Sequence, residues 1–278
     1  MGRPWLAGRP LWPRYGASVL SGILLALSFP RPGWWPVAWG ALVPVFLALR
    51  GLRAATAAGV GFAFGLAFYG TLLTWLATLG LPAYAVVVVF SATYSALFGA
   101  FASCAARGGQ EGRWLVGTLL AWVVVEWSRS LGPASFPWGL VGYSQWTNLP
   151  ILQLASVGGV YLVSAVVVGA NAGFALLLLR KPLGILPLLL VALAWGWGTR
   201  RLERLASEAR PWMPVAAVQP NLPQHLKLDP DYAPRTQETL LRLTREAVRS
   251  GARLVVWPEH YWPAPLLREG QLDLLIQT

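Results

Sequence analysis

The sequence predicts a polytopic α-helical membrane domain followed by an incomplete α/β domain. The chain is 56% hydrophobic and only 12% charged, about half the charged fraction of a soluble domain. Long apolar runs alternate with short segments that contain arginine pairs. After about residue 199 the charge density rises sharply in RRLERLASEAR, and the apolar runs shorten to the length of strands.

Seven apolar segments approach or reach the roughly 20 residues that a membrane-spanning helix needs. The first lacks a clear small-residue cleavage site, so we expect a retained span rather than a removed signal. The sixth follows Pro150 and is long enough to include a lead-in at the membrane interface. The segments are residues 16–30, 34–49, 55–79, 83–106, 114–131, 152–179 and 183–198. We predict about seven helices within a membrane domain over residues 1–199.

The net charge of +11 comes almost entirely from arginines between the apolar segments. A nucleic-acid-binding protein would group them on one soluble face, so the pattern favours membrane topology and excludes nucleic acid as a partner. If the connections between successive spans lie alternately on the two sides of a membrane, nine basic residues are on the same side as the N-terminus: Arg3, Arg9, Arg14, Arg50, Arg53, Arg107, Arg113, Arg180 and Lys181. The other side has two, Arg31 and Arg129. This bias predicts a cytoplasmic N-terminus and an extracytoplasmic segment after the seventh span.

The C-terminal segment, residues 200–278, has the pattern of an α/β domain. An apolar run in PVAAVQPNLPQ has strand length, and residues 230–250 place Leu240, Leu243 and Ala247 at helical spacing. RLVVW at 253–257 is a second strand, and LREGQLDLLIQT is a further helical stretch. Because two strands cannot bury a stable core alone, we expect the α/β domain to be incomplete.

Glu259 is the candidate general base. It follows the second predicted strand, and α/β folds place active sites at the carboxyl ends of strands. Pro258 restricts the backbone, and we expect Trp257 and Trp262 to shield the carboxylate, which suits base catalysis. The alternative from position alone is a surface glutamate in a turn.

Glu126 and Arg129 lie near the outer end of the fifth span. Their spacing favours an ion pair across one helical turn. An ionisable residue in a span is a candidate functional residue, and a structural ion pair is the alternative.

SFPWGLVGYSQW, residues 135–146, follows the fifth span and mixes glycine, proline and aromatic residues. One interpretation is a lid or re-entrant segment that receives a lipid, and the other is a loop of the interfacial aromatic belt. The candidate substrate-binding or lid residues are Phe136, Pro137, Trp138, Tyr143, Gln145 and, beside Glu259, Trp257.

Cysteine and histidine give no evidence for a metal site. Cys104, the single cysteine of the printed chain, lies in an apolar run and is predicted to be a small buried helix residue. His225 and His260 flank the predicted helix, and we expect ordinary polar contacts for both.

Four segments in this order resemble the apolipoprotein N-acyltransferase family over essentially the whole chain: LSFPRPGWWPVAWGALVP, EWSRSLGPASFPWGLVGYSQ, VAAVQPNLPQHLKLDP and VVWPEHYWP. The resemblance implies a multi-pass protein of the bacterial inner membrane with a nitrilase-like (αββα), carbon–nitrogen hydrolase domain in the periplasm. It implies a phospholipid acyl donor, a diacylglyceryl-modified apolipoprotein acceptor and a Glu–Lys–Cys triad that works through a cysteine thioester. It implies no metal or cofactor.

The resemblance assigns the triad glutamate to Glu259 and places the triad lysine and cysteine downstream of it. Lys181 and Lys227 precede Glu259, and Cys104 lies in a predicted span, so we expect the printed chain to be inactive alone. Leu228 stands where the family can have a functionally important tryptophan, and Ser135 where it often has glycine. The alternative function is that of a non-enzymatic lipid-binding or scaffolding remnant. A transporter is disfavoured because charged residues in the spans are few and no internal repeat is apparent.

Overall fold

The computed structural model describes residues 10–106, 110–208, 213–223, 226 and 230–259. The chain divides into two compact units, Met1–Ser207 and Glu208–Thr278. The division falls eight residues after the predicted boundary at residue 199, because the charged sequence RRLERLAS continues the last apolar helix without a break.

The first unit is helical. Its α-helices are α1 (Trp12–Leu27), α2 (Ala38–Ala41), α3 (Val43–Leu49), α4 (Ala54–Leu72), α5 (Leu81–Ala105), α6 (Glu111–Ser128), α7 (Leu149–Leu152), α8 (Ala155–Leu178) and α9 (Ile185–Ser207). Short 3₁₀ turns at Trp35–Val37, Thr74–Leu79, Val141–Gln145 and Pro182–Gly184 lie between them.

Helical structure occupies each of the seven predicted segments, and four helices among the described residues are long and apolar enough to cross a membrane. These four are α4, α5, α8 and α9 with its preceding turn. Helix α1 has only 16 residues, and the second segment is split into α2 and α3. Helix α6 carries three charged residues, Glu111, Arg113 and Glu126, which lower its hydropathy. Together the helices have the composition of a membrane domain.

Helices α4 and α5 pack closely because glycines face the neighbouring backbone. A side chain on Gly61 would overlap the carbonyl oxygen of Ser95, and one on Gly99 would overlap that of Ala57. Small residues at such contacts let membrane helices approach each other.

Aromatic rings fill the centre of the unit around Trp122 of α6. The ring centroid of Phe98 lies 4.7 Å from that of Trp122, and those of Phe64 and Phe46 lie 6.1 Å and 6.4 Å away. Cys104, near the end of α5, is exposed rather than buried as predicted. Its side of α5 faces away from this core, while Ala102 and Ser103 take the buried positions.

The second unit contains the predicted strand–helix–strand arrangement. Strand β1 (Val215–Ala217) pairs in parallel with β2 (Leu254–Val256), Val215 opposite Leu254, and α10 (Ala233–Arg249) connects them. Leu240 of α10 is fully buried. Both strands alternate exposed and half-buried residues. The helical stretch predicted at 267–278 lies outside the described residues.

Candidate functional site

The segment after α6, residues 135–146, folds back into the end of the helical unit. Gly132 and Gly139 have positive φ values of 78° and 76°, a conformation that glycine adopts without steric cost. Pro137 prevents a regular helix between them. Val141, Gly142, Ser144 and Gln145 are consequently buried in the 3₁₀ turn that ends the segment. We call residues 135–146 the outer loop.

Glu126 holds the outer loop from inside the unit. Its side chain is 2% exposed, and its Oε1 accepts hydrogen bonds from the backbone N–H of Val141 at 2.7 Å and from Trp122 Nε1 at 2.9 Å. The next backbone N–H of the loop, on Gly142, donates to Ser164 Oγ on α8 at 2.8 Å. Two successive peptide groups of the loop therefore have buried side-chain acceptors.

Arg129 holds the preceding part of the loop. Its guanidinium is buried and donates to the carbonyl oxygen of Trp138, to that of Phe136 at 3.5 Å and to the hydroxyl of Tyr69 on α4. The backbone N–H of Phe136 returns a bond to the carbonyl oxygen of Arg129 at 2.9 Å. The guanidinium thus connects α4, α6 and the loop.

Glu126 and Arg129 do not form the direct ion pair that their spacing predicts, judged over the described part of the chain. The reason is competition from the loop, whose peptide groups offer the carboxylate an N–H donor and the guanidinium two carbonyl acceptors. Each charged side chain is hydrogen-bonded, as a buried charged group requires.

Gln145, a substrate-binding or lid candidate from the sequence, is hydrogen-bonded at both ends of its side-chain amide. It is fully buried, and its Oε1 accepts bonds from Trp39 Nε1 at 3.0 Å and from Asn148 Nδ2 at 2.9 Å. Its Nε2 donates to the carbonyl oxygen of Trp35 at 3.3 Å and to Ser144 Oγ at 3.0 Å. With both ends of the amide occupied, Gln145 ties the loop to Trp35, which lies before α2, and to Trp39 within α2.

Of the remaining candidates of the outer loop, all except Phe136 lie on its surface. Pro137 is exposed, as are Trp138 (52%) and Tyr143 (49%), while Phe136 is partly buried against the core. Trp138 stacks on Phe136 with ring centroids 6.0 Å apart and lies 5.3 Å from the ring of Trp75. This aromatic surface can contact acyl chains and the headgroup region of a bilayer.

The sequence interpretation missed Ser164 as a partner of the loop, and it missed Tyr69 and Trp122 as partners of Arg129 and Glu126. All three lie in apolar runs, where aromatic and small residues are expected to serve packing alone. The available signal was the pair of ionisable residues at 126 and 129 within a predicted span, since such residues require hydrogen-bond partners when they are buried.

Glu259 lies three residues after β2 and is exposed, which differs from the shielded carboxylate predicted. The half-buried Trp257 donates from Nε1 to Thr244 Oγ1 of α10 at 2.9 Å. This bond attaches the residues after β2 to the connecting helix. Trp262 and both histidines lie outside the described residues.

Within the described ranges no three histidine, cysteine, aspartate or glutamate side chains are grouped so that they could hold a metal ion.

Comparison with known proteins gives one family. The model of the apolipoprotein N-acyltransferase N-terminal domain matches residues 21–173, which include Glu126, Arg129 and the outer loop. An apolipoprotein N-acyltransferase of Geobacter metallireducens is 37% identical over 274 residues, covering 90% of this chain and 51% of the relative. One of Chromobacterium violaceum is 33% identical and covers 93% and 52%. The chain spans about half the length of these curated relatives.

Proposed function

The chain belongs to the apolipoprotein N-acyltransferase family, and from that premise we propose that the protein transfers an acyl chain from a phospholipid to a lipoprotein. The acceptor is the N-terminal amine of a diacylglyceryl-cysteine. Residues 1–207 form the membrane part, and the unit that follows presents Glu259 as the general base on the periplasmic side of the bacterial inner membrane.

The observation that carries this proposal is the match of the helical unit to the family model together with the position of Glu259. The family match covers the segment in which the outer loop is built. Glu259 follows a strand that is paired in parallel through a helical connection, the location at which α/β folds place reacting groups. Glu259 itself is exposed.

The proposed reaction has two half-reactions that share one base. Glu259 takes the proton of a cysteine thiol, the thiolate attacks the phospholipid ester, and the proton passes to the departing lysophospholipid alkoxide as the thioester forms. In the second half the lipoprotein amine attacks the thioester. The amide forms, and the amine proton returns to the thiol by way of Glu259. A lysine stabilises both oxyanions.

The triad lysine and cysteine are expected downstream of Glu259, as the family resemblance implies. Cys104 lies in α5, a helix long and apolar enough to cross a membrane, and is not the proposed nucleophile.

The test measures acyl transfer in isolated bacterial membranes. The host's own N-acyltransferase is absent from these membranes, and the gene that encodes these residues is expressed instead. We expect the wild-type gene to convert a diacylglyceryl lipopeptide to its N-acylated form. Glu259→Gln should reduce the rate by about 10²- to 10⁴-fold, since an amide cannot accept the proton. Glu238→Gln is the matched control, because Glu238 is also exposed in the second unit and should leave the rate unchanged.

Two results would contradict the proposal. Absence of N-acylation with the wild-type gene would remove the assigned activity. Full activity of the Glu259→Gln protein would remove Glu259 from the chemistry and favour another base.

A further inference from the structure

The geometry points to Glu126 and Arg129 as positioning residues that fix the outer loop by its backbone and thereby hold Trp138 and Tyr143 at the surface that receives the acyl donor. This inference rests on the proposed function for its substrate. The fixation of the loop is a separate physical property that can be measured without activity.

Glu126 acts as an acceptor of hydrogen bonds. Both donors to Oε1 are neutral, the backbone N–H of Val141 at 2.7 Å and the indole N–H of Trp122 at 2.9 Å. A glutamine side chain has an oxygen at the same place and can accept the same two bonds. A proton-transferring role for a carboxylate within a span would not survive that substitution, so Gln separates the two roles.

Arg129 acts as a donor to several acceptors at once. The carbonyl oxygens of Phe136 and Trp138 and the hydroxyl of Tyr69 lie around one guanidinium, whose N–H groups form a planar fork. Lysine places a single nitrogen at the end of its chain and cannot reproduce that fork. We therefore expect lysine to be a poor replacement, although it keeps the charge.

The two residues bind opposite parts of the same loop. Arg129 holds the carbonyls at positions 136 and 138, and Glu126 holds the N–H at 141, so the backbone between them is fixed from both sides. The side chains of Trp138 and Tyr143 lie on the opposite, exposed side. Loss of either contact should free this surface without removing any residue from it.

The experiment measures loop mobility and substrate binding in the same proteins. In a background in which Cys104 and the proposed triad cysteine are both replaced by alanine, Tyr143→Cys carries a nitroxide spin label, and its electron paramagnetic resonance spectrum reports local mobility in lipid vesicles. We expect an immobilised spectrum for the background protein and for Glu126→Gln. A mobile component should appear for Glu126→Ala and Arg129→Lys.

Ser18→Ala is the matched control. Ser18 is fully buried in α1 and donates to the carbonyl oxygen of Val60 at 2.6 Å, so its loss removes a buried bond away from the loop. We expect a lower unfolding temperature and an unchanged spectrum. If Glu126→Ala does not yield folded protein, the mobility of the spin label is compared between Arg129→Lys and Glu126→Gln instead.

The activity readout uses proteins without the label, in which Tyr143 and the native cysteines are kept. Glu126→Ala and Arg129→Lys should raise KM for the phospholipid by between about tenfold and about 100-fold, with a smaller effect on kcat, while Glu126→Gln should match wild type. The inference is overturned if Glu126→Gln frees the loop as fully as alanine does, or if neither Glu126→Ala nor Arg129→Lys changes mobility. Wild type without acyl transfer but with an immobilised loop would refute the proposed function alone.

Discussion

Asn171 on α8 replaces a missing bond in the backbone of the second helical segment. In an unbroken helix the N–H of Leu42 would donate to the carbonyl oxygen of Ala38. Here Leu42 N donates to Asn171 Oδ1 at 2.8 Å, and Asn171 Nδ2 donates to the Ala38 oxygen at 2.8 Å and to Val167 at 2.9 Å. Pro44, in the first turn of α3, provides a reason for the break, since it has no N–H to continue the ladder.

Replacing Asn171 by leucine is therefore expected to destabilise the helical unit by about 1–3 kcal/mol, because it leaves buried backbone groups of α2 and α3 without partners. The measurement is the free energy of unfolding in mixed micelles on titration with a denaturing detergent. Thr199→Val is the control, since the hydroxyl of Thr199 donates within its own helix, to the carbonyl oxygen of Trp195 at 3.0 Å, and its effect should stay within about 0.5 kcal/mol. Equal effects of both changes would show that Asn171 contributes no more than a surface hydroxyl.

At the scale of single elements, the helices were predictable and their polar contacts were not. A bilayer satisfies no backbone groups, so spanning segments are long apolar helices that hydropathy alone locates. The spacing of Glu126 and Arg129 indicated a pair within one helix, but their partners lie up to 60 residues away, on Tyr69 in α4. The pairing of β1 with β2 was predictable because one amphipathic helix connects two short apolar runs. The exposure of Glu259 was not, because it depends on tertiary packing.

Helix α8 contains a local break in its backbone. Gly158 and Gly159 have non-helical backbone conformations, and Gly159 has φ 63° and ψ −167°, a region that is essentially restricted to glycine. The residues before the break, Ala155–Val157, are exposed, whereas the helix after it includes the buried Val163 and Ser164. The break therefore separates an exposed lead-in from the packed part of α8, where Ser164 meets the outer loop.

Gly159→Ala should destabilise the protein by about 1–3 kcal/mol, because alanine in that backbone region is strained. Gly16→Ala is the matched control. Neither glycine has an atom within 4 Å of an added Cβ, but Gly16 lies within the regular helix α1, where alanine is favoured by up to about 1 kcal/mol. Thermal unfolding in detergent should therefore shift in opposite directions for the two variants. A stabilising Gly159→Ala would mean that α8 straightens without cost.

At the scale of the helical unit, the segments that connect successive helices lie alternately at its two ends, and polar and aromatic contacts join them at each end. At one end, Arg14 of α1 donates to the carbonyl oxygens of Ala48 and Arg50 at the end of α3. At the same end, Lys181, between α8 and α9, pairs with Glu111 at the start of α6 at 2.7 Å. At the other end the outer loop contacts Trp35 in the 3₁₀ turn between α1 and α2, and Trp75 in the 3₁₀ turn between α4 and α5. This alternation is the arrangement expected of helices that cross a membrane in turn.

The alternation and the basic bias together predict that Gln110 is cytoplasmic, whereas Ser135 and Glu238 are periplasmic. Each is exposed and is replaced singly by cysteine in a background in which Cys104 and the proposed triad cysteine are both replaced by alanine. A membrane-impermeant maleimide applied to spheroplasts should label positions 135 and 238 at once, because both face the medium. Position 110 should react only after the membrane is permeabilised.

Immediate labelling at 110 with protection at 135 would invert the orientation, and protection at 238 alone would place the second unit in the cytoplasm. In the latter case Glu259 would be on the wrong side for a periplasmic lipoprotein acceptor, so this measurement also tests where the proposed base can act.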